Sequence, residues 1–209
     1  MFLRVVLTTC LLASMALSAQ AQEKYRVYFG TYTGKDSKGI YQSELNLKDG
    51  SLSAPKLAGE TSSPSFLAFH PSQKFLYAVN ESDAKVSAFA IDAKSGQLTY
   101  LNSQPSQGGA PCHLVVDPSG KNVLAANYSG GSCICFPVGA DGTLGQASSF
   151  QQHVGPKKNG HSIHVDKANK FALCCDLGLD QVIIYAFDSS KGTLSPHSVF
   201  NTPKGAGPR

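Results

Sequence analysis

The sequence predicts an all-β protein built as a β-propeller, and three observations lead there. Charged residues make up only 15% of the chain, Gly (20) and Pro (11) are frequent, and Val, Tyr and Phe recur in short runs, which suits strands joined by tight turns. Three segments align with one another at a spacing of 47 and then 49 residues. Each holds four strand-like runs, and a period of about 45–50 residues with four short strands is the pattern of one propeller blade.

Met1 to Ala21 read as an export signal rather than as part of the fold. Met1-Phe2-Leu3-Arg4 is a short positive start, Val5 to Leu17 is apolar, and Ala19-Gln20-Ala21 is a small-x-small cleavage pattern. The apolar run is short for a bilayer span. Residues 1–21 are therefore predicted to be removed, leaving an exported chain from about Gln22, periplasmic or secreted, with no membrane contact. A cytoplasmic location follows only if this stretch is not a signal.

The repeats begin at Ser65, Cys112 and His161. His70, Asp117 and Asp166 close the first apolar run of each. Ten residues later stand Asn80, Asn127 and Asp176, and nine further on Phe89, Phe136 and Tyr185. A turn then precedes a leucine at Gly96-Gln97-Leu98, Gly142-Thr143-Leu144 and Gly192-Thr193-Leu194. In the second repeat the strands are predicted over His113 to Asp117, Asn122 to Asn127, Ser132 to Val138 and near Ser148 to Gln152. Pro118-Ser119-Gly120, Ser129-Gly130-Gly131 and Asp141-Gly142 separate them. The two central runs are apolar throughout, as strands covered on both faces should be.

Ahead of the first full repeat, Tyr25 opens a run like a second strand and Gly39 one like a third, followed by a turn at Gly50-Ser51-Leu52. An innermost strand is missing from this unit, as in propellers whose first blade is completed from the far end of the chain. Gly205-Ala206-Gly207-Pro208-Arg209 matches Gly108-Gly109-Ala110-Pro111-Cys112, the approach to the second repeat. The expected division is blades at about 25–60, 61–108, 109–159 and 160–203, with 204–209 starting another. On this reading the chain is the N-terminal portion of a longer propeller, expected by itself to be inactive and to aggregate or be degraded unless it assembles; the rival reading is a complete small propeller made by oligomerisation.

Composition excludes several classes. Loss of Arg4 takes the formal charge from +4 to +3, Arg26 and Arg209 are the remaining arginines, and the lysines are dispersed, so nucleic acid is not expected as a partner. Cys112, Cys133, Cys135, Cys174 and Cys175 remain after cleavage. Most sit in apolar runs and read as small buried hydrophobes, although a pair between adjacent strands stays open. Without a C-x-x-C spacing there is no zinc signature, and neither metal nor cofactor is expected. Ser129-Gly130-Gly131-Ser132 lacks the G-x-S-x-G context of a nucleophilic serine.

Five motifs in order carry a resemblance to a known family. They are Gly30-Thr31-Tyr32-Thr33, Lys38-Gly39-Ile40-Tyr41, Ala110-Pro111-Cys112-His113, Ala125-Ala126-Asn127-Tyr128-Ser129-Gly130-Gly131-Ser132 and Asp176-Leu177-Gly178. From Tyr25 to Arg209 the chain resembles the lactonase family of seven-bladed propellers, which includes propeller-type 6-phosphogluconolactonases and carboxymuconate cyclases. The resemblance implies seven blades and a site at one mouth of the central channel. It maps a histidine onto His161 and an arginine onto Arg209, while a glutamate and a second arginine of that site fall beyond this chain. The family commonly has a further histidine two residues before His161, where this sequence has Asn159.

These residue types suit lactone opening. A neutral imidazole can take a proton from water, and a guanidinium can stabilise the oxyanion and grip the carboxylate product. His161 is thus expected as general base, Arg209 as electrostatic clamp, and a small lactone as partner. His113 is divided between substrate lining and structure. His164 is expected in the core, Asn127 and Asp176 at turns, and His70, His153 and His197 carry no signal. Export and the scarcity of arginine leave room for a non-phosphorylated lactone. A cyclase that closes a muconate, and an exported binding module without activity, are the alternatives; oligomeric state is not encoded visibly.

Overall fold

A computed structural model describes residues 23–209; the export signal read at 1–21 lies outside the described residues. Fifteen strands form four antiparallel meanders. The first sheet holds β1 (Lys24–Phe29), β2 (Gly39–Asn46) and β3 (Lys56–Glu60). The second holds β4 (Leu67–Phe69), β5 (Phe75–Asn80), β6 (Lys85–Ile91) and β7 (Leu98–Pro105). The third holds β8 (Pro111–Val116), β9 (Asn122–Asn127), β10 (Ser132–Pro137) and β11 (Ser149–Gln152). The fourth holds β12 (Gly160–Val165), β13 (Phe171–Asp176), β14 (Gln181–Asp188) and β15 (Thr193–Asn201). The one helical element among the described residues is a 3-10 turn at Glu81–Asp83.

These strands fall where the repeat predicts them, and the repeat extends to their irregularities. In the second and fourth sheets an extra residue bulges the outermost strand opposite Ala88/Phe89 and Ile184/Tyr185, with the same feature opposite Ile40/Tyr41 in the first. A second set of bulges lies at the start of the innermost strands, between Pro111 and His113 in β8 and between Gly160 and Ser162 in β12. The residues left out of the ladder there are Cys112 and His161. A bulge re-aims a side chain and raises local twist, so both positions leave the regular in-out alternation of their strands.

Each sheet packs face to face on the next through its own apolar cluster. Ile40, Leu76, Ala78 and Phe89 join the first pair of sheets, Tyr77, Val79, Leu114, Ile134 and Phe136 the second pair, and Leu124, Cys135, Ile163, Tyr185 and Phe187 the third. Strands β5, β9 and β10 are buried nearly throughout, which explains their unbroken apolar runs: both faces meet a neighbouring sheet. Burying a side chain the size of Phe136 contributes roughly 1.5–3 kcal/mol.

Hydrogen bonds repeat across the same seams. Tyr28 Oη donates to the Gly96 carbonyl at 2.7 Å and Tyr77 Oη to that of Gly142 at 3.0 Å. Tyr28 and Tyr77 thus hold equivalent places, which makes β1 a second strand and leaves the first sheet three-stranded, as the sequence predicts. Gly130 explains one of the glycine motifs: a Cβ there would overlap the Gly108 carbonyl, so the turn after β9 closes directly over the loop that leads into β8.

Candidate functional site

The polar residue ending each second strand holds the loop that enters the same sheet's innermost strand. Asn80 Nδ2 donates to the Ser62 carbonyl at 2.6 Å and Asn127 Nδ2 to that of Ser106 at 3.0 Å. Asp176 makes the equivalent tie as an acceptor, taking the Asn159 amide at 2.8 Å and those of Gly178 and Leu179 at 3.1 and 3.0 Å on Oδ1. The turn role expected for Asn127 and Asp176 is therefore what the structure shows. Burial opposes ionisation of Asp176, but the hydrogen bonds from His153 and these amides outweigh it and hold its pKa below the ordinary carboxylate value.

Those loops deliver equivalent residues to one place. Ser65, Cys112, His161 and Arg209 occupy the same position in successive repeats, just after Pro64, Pro111, Gly160 and Pro208, and all four line a single pocket of about 380 Å³. A second set follows the ends of the second strands: Glu81 after Asn80, Tyr128 after Asn127 and Leu177 after Asp176, all lining the same pocket. Tyr32 completes it. The pocket is thus two rungs of the repeat brought around one axis.

Within it, Glu81 is anchored twice, accepting from Ser65 Oγ at 2.6 Å and from Tyr32 Oη at 2.9 Å on Oε2. The bond to Glu81 also raises the Tyr32 pKa, since it favours the protonated phenol. The Tyr128 ring meets that of His161 edge-on, with centroids 5.9 Å apart. Cys112 donates to the His161 carbonyl at 3.3 Å, and burial, reinforced by the charge of Glu81, pushes its thiol up to about 12. It is therefore a neutral thiol at pH 7 and a poor nucleophile.

Arg209 is carried by a segment tied to one carboxylate. Asp180 accepts from the Gly205 amide at 2.7 Å and the Gly207 amide at 2.8 Å, while its carbonyl takes the Thr202 amide at 2.8 Å. Those two side-chain bonds lower the Asp180 pKa.

The sequence-predicted residues are thus divided. His161 and Arg209 line the pocket together, whereas His113 does not line it. His113 lies deeper along β8, its ring 4.2 Å from Phe66 and 4.9 Å from His164, with Nδ1 accepting the Ile163 amide at 3.3 Å. Burial, then the neighbouring His164 and His161, depress its pKa to about 4. His164 is exposed rather than in the core, because successive strand residues point to opposite faces: Ile163 enters the seam with the third sheet, and His164 lies on the other face of the fourth sheet, which no sheet covers among the described residues. His153 is fully buried, with Nδ1 2.6 Å from Asp176 Oδ2. Glu81, Tyr32 and Tyr128 are not singled out as site residues by the sequence, although Tyr32 and Tyr128 lie in motifs that carry the resemblance and Glu81 and Tyr128 each follow the repeated Asn.

The fold and pocket define a blade-repeat protein with a polar site at the axis, and comparison with known proteins places it further. The family described as "Lactonase, 7-bladed beta-propeller" matches residues 26–209, and the chain belongs to that family. It is 36% identical over 195 residues to a 6-phosphogluconolactonase of Bacillus subtilis, covering 89% of this chain and 55% of the relative. Among solved structures it resembles a periplasmic gluconolactonase of Pseudomonas aeruginosa, with a TM-score of 0.82 at 29% identity over 89% of this chain and 57% of that one. A protein from Lactobacillus plantarum gives a TM-score of 0.80 at 31% identity over 89% and 55% of the two chains. The chain spans little more than half the length of these relatives.

Proposed function

We propose that the pocket of Ser65, Glu81, His161 and Arg209 belongs to a hydrolase that opens a sugar lactone. The support is the meeting of His161 and Arg209, two residue types that lactone hydrolysis uses, at equivalent positions of successive repeats beside an anchored carboxylate. The names of the Bacillus relative and the Pseudomonas neighbour agree with it.

In this mechanism His161 takes a proton from water as the oxygen attacks the lactone carbonyl carbon. The tetrahedral oxyanion forms beside the Arg209 guanidinium. The ring C–O bond then breaks, the imidazolium returns its proton to the leaving oxygen, and the product hydroxy acid leaves, ionising to its carboxylate as it gives its acid proton to solvent. Glu81, fixed by Tyr32 and Ser65, accepts hydrogen bonds from sugar hydroxyls. A carboxylate in that place disfavours a phosphate beside it, so a lactone without phosphate is the preferred substrate. His113 braces β8 against β12. The step uses no metal.

The test follows hydrolysis of glucono-1,5-lactone and of its 6-phosphate, with the spontaneous rate subtracted. His161→Ala is expected to lower kcat about 100- to 1000-fold, the range of a lost general base. Normal turnover in that variant would refute the assignment.

A further inference from the structure

Outside the pocket, one buried cluster is used by nothing described so far. Cys133 lies on β10, Cys174 on the facing β13 of the next sheet, and His153 just past β11, where the chain crosses between them. All three are buried, and their sulfur and ring-nitrogen atoms lie within 4.8 Å of one another. His153 Nδ1 faces Asp176 Oδ2 at 2.6 Å, both side chains fully shielded from solvent. A carboxylate accepts, so Nδ1 carries the hydrogen, and Nε2 is the nitrogen left to face the sulfurs. That Nε2 is buried and makes no hydrogen bond of good geometry, although the Cys133 sulfur lies close enough to interact with the ring.

A buried ring nitrogen without a well-formed hydrogen bond is costly. The arrangement also resembles a thiol–imidazole–carboxylate triad, but the full burial of Cys133 and His153 keeps any substrate away. A metal ion accounts for every part. Two thiolates and an imidazole suit a thiophilic cation, and an imidazole whose other nitrogen is held by a carboxylate is the usual outer arrangement of a metal-bound histidine. With metal–sulfur bonds of about 2.3 Å and metal–nitrogen bonds of about 2.0 Å, ligand atoms sit some 3.5–3.8 Å apart, so separations within 4.8 Å need a contraction of at most roughly an ångström.

We propose that Cys133, His153 and Cys174 bind one thiophilic cation of the Zn2+ class, locking the third sheet to the fourth. Binding leaves two thiolates and a neutral imidazole on the ion and releases to solvent the protons these groups carried. Because the ligands come from two sheets and a crossing loop, the ion binds the folded chain and stabilises it by mass action. The site is structural: it underlies the Asn159–Gly160 loop, where Asp176 holds both His153 and the Asn159 amide.

The experiment measures metal in the full chain, purified without chelator, by mass spectrometry of the intact native protein and by elemental analysis. One equivalent of zinc is expected, replaceable by Co2+ with a near-ultraviolet sulfur-to-cobalt band. Chelation should lower the Tm of the parent. Cys133→Ser and Cys174→Ser should lose the band, while Cys175→Ser, on the same strand but outside the cluster, should keep it. Should a ligand variant fail to fold, alkylation of the parent decides: Cys133 and Cys174 must react faster with chelator than without. A chain lacking metal that also takes up none of Zn2+, Co2+ or Cu+ overturns the proposal. So does a Cys133–Cys174 disulfide, seen as the loss of two hydrogens, in the chain as purified.

Discussion

Replacing Asp176 with alanine should be among the most damaging single changes outside the apolar core. Its carboxylate accepts three backbone amides on Oδ1 and faces the His153 ring on Oδ2, with no exposure of either side chain. A hydrogen bond to a charged group contributes about 1.5–3 kcal/mol, but the four do not add. Asn159 and Gly178 are only partly buried, so their amides can recover water. His153 cannot, and removal of one partner from a buried pair costs about 3–5 kcal/mol. We expect Asp176→Ala to lose about 4 kcal/mol, a large share of the 5–15 kcal/mol typical of a folded domain. Asp176→Asn keeps an acceptor for the amides and should lose roughly half as much. Urea unfolding followed by tyrosine fluorescence and circular dichroism measures both. A loss under about 1 kcal/mol at unchanged m-value for Asp176→Ala, or equal losses for both variants, would show that this carboxylate does not organise the loop.

Other outcomes follow from the same geometry. Arg209→Lys keeps a charge but loses the planar fork, and should raise KM for a lactone several-fold while Arg209→Ala lowers kcat/KM about 100-fold or more; equal activity in all three removes Arg209 from the site. Asp180→Ala frees the Gly205 and Gly207 amides, so it should raise KM with little change in Tm. Gly130→Ala forces a methyl onto the Gly108 carbonyl and should lower Tm by several degrees, whereas Gly34→Ala, with open space around it, should not. For His113, whose folded pKa of about 4 lies below its unfolded value of about 6.5, the unfolded chain binds the extra proton first. Stability is then full above pH 6.5 and declines as pH falls towards 4, by about 1–2 kcal/mol after allowing for partial exposure. His113→Phe should flatten that part of the pH–stability curve.

Much of this protein was legible because its signals are local. The turn glycines, the Asn or Asp ten residues after each blade's first run, and the paired apolar strands recur at nearly fixed offsets, and each offset is set by strand length and turn chemistry. Histidine was harder to read. His153 has an unremarkable neighbourhood in sequence and yet is fully buried, because its partners Asp176, Cys133 and Cys174 arrive from two different sheets. His164 sits in an apolar run and is exposed, since it alternates with Ile163 and lies on the face of the fourth sheet that no described sheet covers. Glu81 looks like any acidic residue in a turn until Ser65 and Tyr32, sixteen and forty-nine residues away, close on it.

By itself the sequence determined the all-β class, the blade period and the strand limits, since alternation and turn propensity act within a few residues. It also marked His161 and Arg209 as equivalent positions in successive repeats. Only the tertiary structure decided that these two, together with Ser65, Cys112, Glu81 and Tyr128, surround one pocket, and that Cys133, His153 and Cys174 converge in another place. The reason is physical: both groupings depend on how one sheet stacks and rotates on the next. That geometry is set by the whole apolar seam between blades rather than by any short stretch of chain.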